Sequence, residues 1–210
     1  MKEQNLTFLH GKYTFSLDTS TIESESHKNT ITNALRLQFS GFLPAKDSTP
    51  AIIFRFCETL EPFFPYEKYL NIKSVKFADN RIYFKLGDAE FVYYKNGGQH
   101  IVYTKISTKF PLRSYCRALN KSFYNRFESQ ISIFYYRIFL LFSQLVNIEY
   151  NTTYIHGATV SDSAGNAILF PADSGVGKSS MLFKMSLENE YNYISDDLKT
   201  LTDAEDLPNH

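Results

Sequence analysis

The stretch Phe170-Pro171-Ala172-Asp173-Ser174-Gly175-Val176-Gly177-Lys178-Ser179-Ser180 follows a short apolar run, Ala167 to Phe170, and precedes residues of helical composition, Ser179 to Glu188. Its core, Ala172 to Ser179, fits the phosphate-binding P-loop pattern if the first glycine is relaxed to alanine. The spacing has a physical reason. Glycines let successive backbone N–H groups turn inward around phosphate oxygens, and a helix starting at Lys178 or Ser179 adds the positive end of its dipole. Lys178 is placed to reach the β- and γ-phosphates and the Ser179 hydroxyl to ligate Mg²⁺, while Ser180 is less constrained. The loop as a whole, Ala172, Asp173, Ser174, Gly175, Val176, Gly177, Lys178, Ser179 and Ser180, is the candidate nucleotide cradle.

Working outward, Tyr191 to Ile194 is short and aromatic, and reads as a strand ending at Ser195-Asp196-Asp197. Adjacent acids at a strand end are commonly a solvated turn. Downstream of a P-loop they offer one carboxylate for Mg²⁺ and one to take a proton from an acceptor hydroxyl. Upstream, Thr153 to Val160 alternates with period two, a turn follows at Asp162 to Asn166, and the run 167–170 reads as its paired strand. His156-Gly157 lies on the first of these strands. A lone histidine there is commonly a packing residue, but this one could face the phosphate pocket, and its glycine would permit close backbone approach. Strand, loop, helix, strand reads as an α/β unit.

Further upstream, apolar residues at 123, 127, 131, 134, 138, 141, 145 and 148 keep the three-and-four spacing of one long helix over 122–147. Its apolar part, Ile131 to Ile148, contains Arg137, Gln144 and Asn147 and falls short of the roughly 18 to 20 uninterrupted apolar residues of a membrane span, so a buried helix of a soluble protein is expected. Before it, Ala51 to Phe56, Val75 to Phe77, Ile82 to Leu86, Glu90 to Tyr94 and Gln99 to Ile106 read as short strands of an antiparallel meander closed by Phe110-Pro111. Turns at Ala78-Asp79-Asn80, Gly87-Asp88 and Asn96-Gly97-Gly98 supply residues that tolerate positive φ. Nearer the N-terminus, Tyr13 to Leu17 reads as a strand, Thr30 to Phe39 as strand or helix, and Ser40 to Pro50 as a loop.

Composition limits the function classes. The 22 basic and 22 acidic residues cancel, so no broad positive field directs the chain to nucleic acid or anionic lipid, and neither partner is expected. Cys57 and Cys116 are far apart and fit no zinc or disulfide spacing, and no secretory signal is read at the N-terminus. The expected setting is therefore a reducing, cytoplasmic one. His10, His27, His100 and His210 form no spaced cluster and read as surface or packing residues.

Taken together, Tyr154-Ile155-His156-Gly157-Ala158, the loop Phe170 to Ser180 and Ser195-Asp196-Asp197 resemble the catalytic domain of HPr kinase/phosphorylase over residues 145 to 198. The resemblance implies a nucleotide fold akin to phosphoenolpyruvate carboxykinase that uses ATP and Mg²⁺ to phosphorylate a serine hydroxyl of a protein or peptide. It implies Lys178 and the loop amides on phosphate, Ser179 and Asp197 on the metal, and Asp196 as general base. His156 would orient a carboxylate or phosphate. Such proteins often form rings, so a homo-oligomer is a further expectation.

The chain departs from that family at Ala172, where glycine is usual, and in ending thirteen residues after Asp197, where the family continues, so an incomplete core is expected. The expected class is α+β: a β-rich domain over 1–112, a long connecting helix over 113–150 and a partial P-loop α/β core over 151–210. The alternative to a kinase is a truncated or degenerate one serving as a nucleotide-binding or protein-interaction module. ATP, GTP and pyrophosphate remain open as phosphoryl donors.

Overall fold

A computed structural model describes residues 5–45, 48–67, 69–86, 89–107, 126–171, 176–188 and 191–202, with side chains described for all of these except 86, 126, 156 and 195–202. The protein is a mixed α+β protein built on one large β-sheet with few helices. Its contacts divide it into two units, Met1–Val146 and Asn147–His210.

The first unit opens with β1 (Asn5–His10), β2 (Tyr13–Asp18) and α1 (Glu25–Gln38). The ambiguous stretch 30–39 thus resolves as helix, started by the Ser24 side chain, which accepts from the His27 amide at 3.4 Å. The segment read as a loop over 40–50 carries the two-residue strand β3 (Leu43–Pro44), and β4 (Ile52–Cys57) follows. A meander of β5 (Leu70–Ile72), β6 (Val75–Ala78), β7 (Arg81–Leu86), β8 (Ala89–Asn96) and β9 (Gln99–Lys105) comes next. These make a nine-stranded sheet in the order β3-β1-β2-β4-β9-β8-β7-β6-β5.

Neighbours are antiparallel except at the centre, where β4 runs parallel to both β2 and β9. The meander reading therefore holds for β6 to β9, β5 adds an edge strand that was not expected, and β4 joins by a crossover rather than a hairpin. Asp79, Gly97 and Gly98 have φ of 50°, 55° and 89°, as the turn chemistry requires. The Gly87-Asp88 turn, Phe110-Pro111, Cys116 and the first residues of the expected long helix lie outside the described residues.

One face of the sheet is covered by helices. After 107 the description resumes at α2 (Arg126–Phe134), a π-helical turn (Tyr135–Phe139) and α3 (Leu140–Glu149). Phe127, Ile131, Phe134, Ile138, Phe139, Phe142 and Val146 are buried with Phe15, Leu35, Phe39, Phe54 and Phe56 in one core. The extra residue of the π turn lets consecutive Ile138 and Phe139 both face inward. Phe139 then lies 4.9 Å from Phe15 and 4.9 Å from Phe39 between ring centroids. By length and composition Phe127–Glu149 is apolar enough to cross a membrane, yet its inner face is the core of this unit, as a helix of a globular sheet protein requires.

The opposite face is partly covered by the segment after β4, which holds a 3₁₀ turn (Glu61–Phe63). Phe64 and Leu60 are buried against Val92 and Ile101, and Phe63 stacks on Tyr103 at 3.8 Å. Cys57 is buried, and burial pushes its thiol up to about 12, which disfavours the thiolate.

The second unit has three strands, β10 (Thr152–Ser161), β11 (Ala167–Pro171) and β12 (Asn192–Thr202), and one helix, α4 (Lys178–Leu187). The sheet order is β11-β10-β12, with β10 antiparallel to both neighbours. So β11 and β12 run the same way, joined by α4, with β10 between them. Among its described residues Ala158, Val160 and Leu182 are the fully buried apolar ones, with Phe170, Ile168 and Met185 packed around them.

Candidate functional site

The strand register places the sequence-predicted residues on one line. On β10, Gly157 pairs with Pro171, the last residue of β11 before the loop, and on its other side with Asp197. Ala158 pairs with Phe170 and Asp196, and His156 with Leu198. With strands spaced about 4.8 Å apart, the entry to the loop and the Asp196-Asp197 backbone stand on the order of 10 Å from each other across Gly157. Three segments separated by up to 40 positions in sequence thus meet at one level of a small sheet.

Asp196-Asp197 was expected where a strand ends. Instead β12 continues to Thr202, because pairing with β10 extends through Thr152. The two acids are strand residues with a fixed register rather than members of a turn. The side chains of His156, Asp196 and Asp197 lie outside the described set, as do Ala172, Asp173, Ser174 and Gly175.

Gly157 is where packing demands glycine. A Cβ there would come 3.0 Å from the Phe170 carbonyl oxygen, 3.3 Å from its carbon and 2.9 Å from a Leu169 methyl. The leucine methyl can rotate away, but the carbonyl belongs to the backbone that leads into the loop. Thr159, two residues on, was not singled out by sequence; it is buried, and its hydroxyl has no hydrogen-bond partner among the described residues. A threonine in an alternating strand carries no signal that would have marked it.

At the far end of the loop, Gly177 takes φ 92°, a left-handed conformation open to glycine. The helix begins at Lys178, one of the two expected starts, and Met181 N–H bonds the Gly177 carbonyl at 3.0 Å. The N-cap residue is Gly177, which has no side chain to cap the helix. Val176, Gly177, Ser179 and Ser180 are exposed and Lys178 is half-buried. Among the described residues no group of three or more His, Cys, Asp and Glu is arranged to hold a metal ion; the Asp197 side chain, expected to pair with Ser179 on the metal, lies outside them. His10 and His100 are packing residues, as expected: His10 sits among aromatic rings, and buried His100 shares a hydrogen bond with the Tyr93 hydroxyl at 3.0 Å.

The turn between β10 and β11 is held by Asp162. Its carboxylate accepts from the Ala164 and Asn166 amides and the Asn166 side chain at 2.8–2.9 Å. These bonds lower the Asp162 pKa and fix the hairpin that sets the β10–β11 register. No family model matches the chain, no curated protein is similar to it, and no solved structure matches it.

Proposed function

We propose that the chain is an ATP-dependent kinase that transfers the γ-phosphoryl group to a serine hydroxyl of a protein or peptide, through a partial P-loop core like that of HPr kinase. The observation that carries this is the shared register of Gly157, Pro171 and Asp197, which draws the histidine-glycine pair, the loop entry and the paired acids to one place. The residues fit a nucleotide: Gly177 in the left-handed region, a ten-residue helix that begins at Lys178 and a Cβ-free position beside the loop entry are what phosphate cradling needs.

When bound, MgATP supplies the phosphoryl group and the metal charge that offsets its negative oxygens. The chain's own part is to bind and orient. The loop amides and Lys178 would hold the β- and γ-phosphates, and Ser179 and Asp197 would hold the metal. Asp196 would take the proton from Oγ of the acceptor serine as its bond to the γ-phosphorus forms and the bond to the bridging oxygen breaks, with ADP leaving, and His156 would orient the carboxylate or phosphate.

Calorimetric titration of the 210-residue chain with ATP, with and without Mg²⁺, tests the reading. Saturable Mg²⁺-dependent binding that Lys178→Ala abolishes is expected, and no binding by the unaltered chain overturns it. Transfer of labelled γ-phosphate to serine peptides should fall by about a hundredfold or more in Asp196→Asn while ATP binding persists. Full transfer by that variant removes the general-base role.

The alternative is an interaction module without catalysis. One observation favours it: Phe183, Leu187 and Tyr193 are 67%, 63% and 59% exposed around a core of three fully buried apolar residues. ATP binding without transfer to any serine peptide is the outcome it predicts.

A further inference from the structure

From Ser129 to Glu149 the helical stretch of α2, π turn and α3 holds only two charged residues, Arg137 and Glu149. Both are exposed. Between them, at steps of four, stand Leu141 and Leu145, 50% and 38% exposed, while Ile138, Phe139, Phe142 and Val146 turn inward to the core. Arg137, Leu141, Leu145 and Glu149 therefore form one outward row about 18 Å long, with a cation at one end, an anion at the other and two leucines between.

Single exposed leucines are ordinary, but this row matches itself end to end. Its members are symmetric about position 143: Arg137 and Glu149 are each six residues from it, and Leu141 and Leu145 each two. Turned by a two-fold axis near that position, a second copy lays the partner's Glu149 against Arg137, the partner's Arg137 against Glu149 and the partner's Leu145 against Leu141. Rows at four-residue spacing are also the ridges by which two helices most commonly interlock, so the two rows lie side by side along their length instead of touching at one point. Glu149 closes α3, whose last turn holds no basic residue. The negative end of a helix disfavours an acid there, and a guanidinium brought by a second copy offsets that field.

A bilayer is the competing occupant for an apolar helix face, and Phe127–Glu149 has the length and hydropathy for one. The inner face is committed to the core, however, and the outer row carries one acid for its one base. Helices that lie in a membrane surface are instead rich in lysine and arginine on their polar side.

We infer that this row is a self-association surface through which two copies of the chain pair as antiparallel helices about a two-fold axis, with Leu141 and Leu145 interlocked at the centre and Arg137–Glu149 ion pairs at both ends. Such an interface uses the same patch on both copies and closes at two, which separates it from a ring. One helix face is smaller than a standard interface of about 800 Å² per partner, so the pair is weak, with a dissociation constant on the order of tens of micromolar. None of this rests on the nucleotide reading.

The test is sedimentation equilibrium of the full chain from about 1 μM to about 500 μM, a range that brackets that constant. The mass should rise from one chain to two and no further. Arg137→Glu and Glu149→Arg each set like charges against one another at both ends, and each alone should weaken pairing by about tenfold or more. An equal mixture of the two variants puts opposite charges back at both ends, and should pair within about twofold of the unaltered chain. A variant that had merely misfolded would not be rescued by mixing. A mass of one chain throughout, assemblies larger than two, single variants that pair as well as the unaltered chain, or a mixture that fails to recover overturns the inference. Flotation with phosphatidylcholine vesicles by a chain that stays monomeric in solution assigns the row to a bilayer and overturns it as well.

Discussion

His10 lies edge-on to Tyr13 at 5.3 Å and to Phe15 at 6.3 Å, with Phe42 and Phe139 also beside its ring. Taking this imidazole out of water disfavours its charged form and lowers its pKa from 6.5 to about 4. The sign of the consequence follows from linkage. The folded protein keeps His10 neutral, whereas the unfolded chain binds a proton near pH 6.5. The contribution is therefore complete above that pH and is lost as pH falls toward 4. The loss sums to about 3 kcal/mol. Urea unfolding at a series of pH values should show stability falling across this window. His10→Phe, which keeps an aromatic ring and removes the titration, should flatten the fall; an unchanged slope in the variant would place the acid sensitivity elsewhere.

At the scale of elements, β10 is the strand on which the candidate site depends, and Gly157 is its tightest point. Replacing Gly157 with Ala sets a methyl against the Phe170 carbonyl, so β11 must shift where it feeds the loop, at a cost of about 1–3 kcal/mol to the second unit. Gly41→Ala is the control, because a Cβ there meets nothing within 4 Å. Thermal unfolding of both variants, with ATP titration of Gly157→Ala, should show loss only in the first. Equal stability of the two would mean that the strands accommodate the methyl.

Several of these elements were legible because their signals are local. Asn96-Gly97-Gly98 made a hairpin turn through positive φ at both glycines, and the Gly177-Lys178 junction started a helix where loop chemistry placed one. What was not legible is pairing between distant segments. The parallel entry of β4 between β2 and β9, and the insertion of β10 between β11 and β12, are choices of partner that no periodicity encodes. β5 was missed because Leu70 and Ile72 are exposed on a three-residue edge strand and carry no alternation long enough to read. β12 was cut short because adjacent aspartates discourage a strand locally, while pairing with β10 carries it on to Thr202.

For the molecule as a whole, the two units differ sharply in how much they bury. The first has a continuous core of aromatic rings on one face of nine strands, while among the described residues of the second three apolar side chains are fully buried and Phe183 and Leu187 are mostly exposed. Local opening free energy tracks buried apolar contact, so amides of β10, β11 and α4 should exchange with solvent well before those of β2, β4 and β9. A ligand that binds only the folded second unit stabilises it by mass action, about 2.7 kcal/mol at a hundredfold excess over its dissociation constant. Hydrogen exchange in saturating MgATP should then slow around Gly157, the start of α4 and the Asp196-Asp197 segment by up to about a hundredfold, and leave the centre of the large sheet unchanged. Lys178→Ala should show the same unliganded pattern and no response to nucleotide. Uniform protection across both units would instead mean that they open as one, and protection confined to the first unit would move the nucleotide site away from the loop.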